Sequence, residues 1–147
     1  MENHTDLFAD ELVWLLDQGG HPAVGACVDT MNAGPMLEDV MRAIEVIAPR
    51  AFTNHFRDER VTPGSTGYRL VGAPLGQGDL DVRRAYEVIR DLSRCDRLII
   101  ENDPEIPFDD LPRALAMAEA AVVESVRYCR DVFGAGREDG AAGKARG

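Results

Sequence analysis

Apolar and polar positions along the chain follow two periods in turn. Leu12, Val13, Leu15 and Leu16 form a 3.6-residue stripe with Trp14 beside it. That predicts a helix over residues 7–17, capped by Asp6 and ended by Gly19 and Gly20. A short apolar run follows, Ala23, Val24, Ala26, Cys27 and Val28, and it ends in Asp29. It is too short for a helix, and turn-formers bound it on both sides. A buried parallel strand reads this way, because both faces are covered and the chain turns polar where it emerges. Residues 50–55 repeat the pattern and end in His55. Residues 97–101 (R-L-I-I-E) repeat it again and end in Glu101.

Helical stripes separate these strands. Leu37, Val40, Met41, Ile44, Ile47 and Ala48 predict a helix over residues 36–48, stopped by Pro49. Val82, Ala85, Tyr86, Ile89 and Leu92 predict one over residues 81–92, with Asp79 or Asp81 as cap. Leu115, Ala118, Val122, Val126, Cys129 and Phe133 predict a long one over residues 111–133, with Pro112 in its first turn. Residues 56–79 are a long loop rich in Gly and Pro, in which residues 59–62 and 68–71 pair as a hairpin; loops of that length in a compact domain carry function. Residues 102–110 form a second, acidic loop. Residues 134–147 lack any period and are expected to be a disordered tail after a domain over residues 1–133.

The order αβαβαβα implies a parallel sheet with right-handed crossovers. Parallel strands bring their carboxyl ends to one edge. Asp29, His55 and Glu101 then share that edge, and together they make a hard-metal or acid–base site.

Composition narrows the partners. The chain has 147 residues, is 45% apolar and carries a formal net charge of −10. Such an acidic chain has no basic surplus with which to displace counterions from a nucleic acid, so none is expected as partner. No run approaches the ~18 apolar residues of a membrane span, and no signal peptide follows Met1, so no membrane partner and a cytoplasmic location are expected. Cys27, Cys95 and Cys129 are far apart with no C-x-x-C pair, and read as reduced structural thiols.

The motifs V-G-A-C-V-D-T-M-N, T-N-H-F-R-D, G-A-P-L-G-Q-G-D-L-D and L-I-I-E, in that order, resemble the second half of the sugar phosphate isomerase/epimerase superfamily, the xylose isomerase-like TIM barrels. Glu2, Asn3 and His4 resemble the E-N-H that ends an earlier strand in many members. The resemblance implies a divalent metal (Mn, Mg, Co or Zn) held by Glu2, Asp29, His55 and Glu101. It also implies that Glu2 and Glu101 move protons beside a substrate carbonyl. Asn32, Arg57, Asp58 and Arg60 fall at or near positions that contact substrate, with Arg57 where Lys is usual and Thr53 where many members have another histidine. The implied function is a metal-dependent isomerase or epimerase of carbohydrate metabolism, acting on a small ketose or polyol.

A complete barrel has eight strands and ~250 residues. The chain is therefore expected to be a partial (β/α)8 TIM barrel of about three to four parallel βα units. Open sheet edges imply a homodimer, a missing N-terminal half, or a non-catalytic half-barrel that serves as an assembly partner. Phosphodiester hydrolysis, known on the same architecture, fits the acidic charge poorly.

Overall fold

The computed structural model of the protein describes residues 1–105, 107 and 109–136. Eight regular elements occur in the order α1 (Ala9–Gly19), β1 (Ala26–Asp29), α2 (Val40–Ile47), β2 (Ala51–His55), β3 (Asp58–Gly64), β4 (Gly67–Ala73), α3 (Val82–Leu92) and α4 (Leu111–Val132). Strands β1 and β2 pair in parallel with Asp29 opposite His55, as the apolar runs imply. Strands β3 and β4 form the expected antiparallel hairpin, in register from Asp58 opposite Ala73 to Gly64 opposite Gly67.

The sheet is wider than its two regular strands. Glu2 bridges Cys27 in parallel on one side, and Ile100 bridges Phe56 in parallel on the other. Four extended segments thus lie side by side in chain order. The outer two are tied by backbone hydrogen bonds and by asparagine side chains. Asn3 donates through Nδ2 to the Asp29 carbonyl at 3.0 Å and accepts from the Asp29 N–H at 2.7 Å. Asn54 donates through Nδ2 to the Arg97 carbonyl at 2.7 Å and accepts from the Ile99 N–H at 3.1 Å. Each amide adds two rungs to the backbone bonds, and residues 97–101 form a bridged segment in place of the regular strand the sequence predicts. Both asparagines are buried, so their polar groups must be satisfied in this way.

Three helices differ from expectation. Helix α1 begins at Ala9 and Asp6 does not cap it; the Glu11 carboxylate accepts the Phe8 N–H at 2.9 Å and Glu38 accepts the Ala9 N–H. Gly20, at φ 56°, ends it as the sequence suggests. Helix α2 starts only at Val40. Pro35 sits in a 3-10 turn over Gly34–Met36, Leu37 is left-handed at φ 59°, and Asp39 caps the helix by accepting the Arg42 N–H at 2.8 Å. Helix α4 has the expected span but a rotated face. It buries Ala114, Ala121, Ser125 and Cys129, whereas Leu115 and Val122 are 63% and 47% exposed. Ser125 causes the rotation: its hydroxyl accepts the Leu75 N–H and donates to the Asn102 side chain, which holds that face against the loops.

The core lies between the sheet and the helices. Leu12 and Leu16 of α1, Ile44 and Ile47 of α2, and Val82, Ala85 and Ile89 of α3 pack on Val28, Ala51 and Phe56. Burying each large aliphatic side chain contributes about 1.5–3 kcal/mol. Phe133 stacks on Tyr86 at 4.1 Å between ring centres, anchoring the end of α4. The hairpin and the loop after it are held by Asp58, which is buried and accepts backbone N–H groups from Gly76, Gly78 and Leu80. A side chain at position 78 would collide with that carboxylate, so glycine is required there. Gly134–Gly136 ends in a turn, with the Ala135 N–H on the Cys129 carbonyl. The remainder of the expected tail, residues 137–147, lies outside the described residues. Among the described residues no helix is long and apolar enough to cross a membrane.

Candidate metal centre

Four side chains meet at the carboxyl edge of the sheet, one from each extended segment. His55, the last residue of β2, stands in the middle. Its Nδ1 lies 2.9 Å from Glu101 Oε2, 3.3 Å from Glu2 Oε1 and 4.0 Å from Asp29 Oδ2. The parallel register makes this happen: Asp29 and His55 are cross-strand partners, and Glu2 and Glu101 are brought in by the two asparagine clamps. The ligand atoms of Asp29, His55 and Glu101 all lie within 4.8 Å of one another.

Asp29 is the member of the cluster whose two oxygens differ most in their contacts. Its Oδ1 accepts the Met31 and Asn32 N–H groups at 2.8 and 3.0 Å. Its Oδ2 is buried, points at His55 and has no hydrogen-bond partner. Burial pushes the Asp29 carboxyl above the usual carboxylate range, against the pull of the Met31 N–H and of Arg57. A buried anionic oxygen without a donor is costly, and a bound cation removes that cost. Three carboxylates and a neutral imidazole around a divalent ion leave a charge of about −1, a donor set for Mn, Mg, Co or Zn.

Two of the substrate-contact candidates join this cluster. Asn32 donates to Glu2 Oε1 at 3.3 Å and accepts from Arg57 Nη1 at 3.0 Å. Arg57 spans the site: Nη2 donates to Glu59 and Asp103, each at 2.8 Å, and Nη1 lies 3.8 Å from both Asp29 and Glu101. Thr30 fixes the Arg57 backbone, its hydroxyl accepting the N–H at 2.8 Å and donating to the carbonyl at 2.7 Å. The other two candidates stand apart. The Asp58 carboxylate is engaged by the glycine loop, and Arg60 donates to the Gln77 carbonyl.

Three residues at or beside the site escaped sequence reading. Asn3 clamps the Glu2 segment, and E-N-H holds it in plain view. Glu59 is buried, and burial raises its pKa while Arg57 lowers it. Cys27 lies two residues before Asp29 and groups with Glu2 and His55. Burial, then the Glu2 and Asp29 carboxylates, push its thiol up to about 12.

No family model matches the chain. It is similar to 3-oxo-isoapionate decarboxylase of Pectobacterium atrosepticum, with 28% identity over 104 residues, 69% of this chain and 38% of that protein. In structure it is similar to a xylose isomerase domain protein from Planctomyces limnophilus, with a TM-score of 0.61 and 17% identity over 90% of this chain and 45% of that one. It is also similar to the IolI protein solved with a zinc atom, with a TM-score of 0.58 and 16% identity over 84% of this chain and 42% of that one. By fold the chain is thus a partial (β/α)8 barrel, matching less than half of each of those two structures. It spans about two fifths of the length of the curated relative it resembles. The likeness first read from the strand-end motifs holds at the level of fold.

Proposed function

We propose that the chain carries the metal centre of a sugar isomerase or epimerase acting on a small ketose or polyol, by proton transfer beside a carbonyl. The observation behind this reading is the convergence of Glu2, Asp29 and Glu101 on His55 Nδ1, with an Asp29 oxygen that accepts no hydrogen bond. Glu2, Asp29, His55 and Glu101 would hold the ion, and the ion would polarise the substrate carbonyl. Glu2 and Glu101 reach His55 from the two flanking segments of the sheet, so a substrate between them meets a carboxylate on each side. One carboxylate removes the proton next to the carbonyl and the other returns a proton. Arg57 and Asn32 present N–H donors to substrate oxygens, and Glu59 and Asp103 hold the guanidinium in place. The likeness to a 3-oxo acid decarboxylase adds a related outcome, because loss of CO2 beside a carbonyl develops the same negative charge.

The test is divalent-ion binding together with exchange of substrate hydrogen for solvent deuterium, over a panel of ketoses, polyols and 3-oxo acids. A rise in melting temperature with Mn2+ and metal-dependent exchange are expected. Neither effect at any ion concentration would refute the reading.

A second reading is an assembly partner without chemistry of its own. It is favoured by the open sheet edges: the N–H and C=O of Glu2 and of Ile100 bond no other backbone among the described residues. Solution mass separates the two. A stable, inactive monomer favours the partner reading, whereas a dimer, or a complex with the other half of a barrel, favours a completed site.

A further inference from the structure

The centre has a second face. Side chains alternate along a strand, so Cys27 and Asp29 point to the same side of β1, with Cys27 about 6.6 Å further down the strand. Cys27 is also the bridge partner of Glu2. Its sulfur therefore faces the underside of the cluster. The sulfur, a Glu2 oxygen and a His55 ring nitrogen all lie within 4.8 Å of one another, the same spread that joins Asp29, His55 and Glu101. Two potential ligand triads thus overlap, and His55 belongs to both.

The triads differ in chemistry. Asp29, His55 and Glu101 offer two carboxylates and an imidazole, a set suited to Mg2+ and Mn2+. Glu2, Cys27 and His55 offer a carboxylate, a thiol and an imidazole, a set suited to thiophilic ions such as Zn2+ and Co2+. We propose that the centre sorts divalent ions by softness between two overlapping positions, a hard one on Asp29, His55 and Glu101 and a soft one on Glu2, Cys27 and His55. Binding at the soft position transfers the Cys27 thiol proton to solvent and forms a sulfur–metal bond. Both positions draw on the same His55 nitrogen, Nδ1, which lies 3.3 Å from Glu2 and 2.9 Å from Glu101, and Glu2 serves both the soft position and the proposed four-residue centre, so occupancy of one excludes the other. Zinc and manganese therefore compete, although each ion keeps ligands that the other does not touch.

This inference rests on the proposed metal centre, and the experiment separates the two. The full chain, purified without chelator and stripped of metal, is titrated with Co2+ and, separately, with Mn2+. Cobalt is expected to produce the near-ultraviolet absorption of a cobalt–thiolate bond, and manganese to lose its free-ion electron paramagnetic resonance signal. Cys27→Ser is expected to remove the cobalt–thiolate band and to weaken Zn2+ at least about tenfold (~1.4 kcal/mol), while Mn2+ affinity stays within about threefold (~0.6 kcal/mol). Glu101→Gln is expected to do the reverse, weakening Mn2+ and leaving the cobalt band. Retained Mn2+ binding in Cys27→Ser shows that the variant is folded; if that variant does not fold, Cys27→Ala and direct Zn2+–Mn2+ competition in the unmutated chain take its place. Cobalt bound without a thiolate band, a band that survives loss of Cys27, or zinc and manganese bound without competition would each overturn the two-position proposal while leaving the metal centre standing. Failure of every divalent ion to bind would overturn both.

Discussion

Two buried aspartates, Asp29 at the end of β1 and Asp58 at the start of β3, have been put to opposite uses. Asp58 sits at the start of β3 with both oxygens occupied: Oδ2 accepts from Gly76 and Gly78, and Oδ1 from Leu80. Asp29 ends β1 with one oxygen bonded to backbone and the other aimed, unpartnered, at His55. Both carboxyls are pushed up by burial. In one case the protein's own amides supply the compensation, and the acid serves as an anchor. In the other, one oxygen accepts no hydrogen bond and faces Arg57 Nη1 at 3.8 Å and His55 Nδ1 at 4.0 Å.

The largest effect that separates them is on metal affinity. Asp29→Asn should weaken Mn2+ at least about 100-fold (~2.7 kcal/mol), while the melting temperature of the metal-free chain holds or rises, because a neutral amide no longer opposes burial. Asp58→Ala should do the opposite. It strips three backbone N–H groups of their acceptor, and about 3 kcal/mol of stability should be lost in denaturant titrations. Mn2+ affinity of the folded fraction should stay within about threefold (~0.6 kcal/mol). If Asp58→Ala were to weaken metal as strongly as Asp29→Asn, the division of labour would be wrong.

A pH series sharpens the same contrast. Asp58 and Glu59 both have folded pKa values raised above the unfolded value of about 4. Folding therefore favours their protonated forms. Their contribution is fully present below about pH 4 and is lost as pH rises through the raised folded values. The unfolding free energy of the metal-free chain should thus carry a downward component on going from mildly acidic to neutral pH, and Asp58→Asn should flatten it. An unaltered slope in that variant would show that Asp58 is not the source. The smallest effect belongs to Arg60, whose guanidinium, among the described residues, holds only the Gln77 carbonyl. Arg60→Ala should change stability by no more than about 0.5 kcal/mol and leave metal affinity alone.

The strand-end residues were legible in the sequence because parallel strands must present their last residues along one edge. Asp29, His55 and Glu101 follow from that rule, and Glu2 from its E-N-H context. The long glycine loop and the hairpin were legible from turn chemistry. What was not legible depends on contacts between distant segments. Asn3 and Asn54 act as side-chain rungs only because the outer segments lie beside β1 and β2, and nothing local marks an asparagine for that role. Helix α4 turned away from its strongest apolar stripe because Ser125 found partners on two loops, a tertiary preference that periodicity does not record. Asp58 follows His55 by three residues, yet it opens β3 and its carboxylate is taken up by the glycine loop.

The reading as a metal centre stands or falls on stoichiometric binding at His55. An electron paramagnetic resonance titration of the metal-free chain with Mn2+ should show one ion taken up per chain in the unmutated protein and none by His55→Ala at the same concentrations. Equal uptake by both proteins, or none by either, would contradict it.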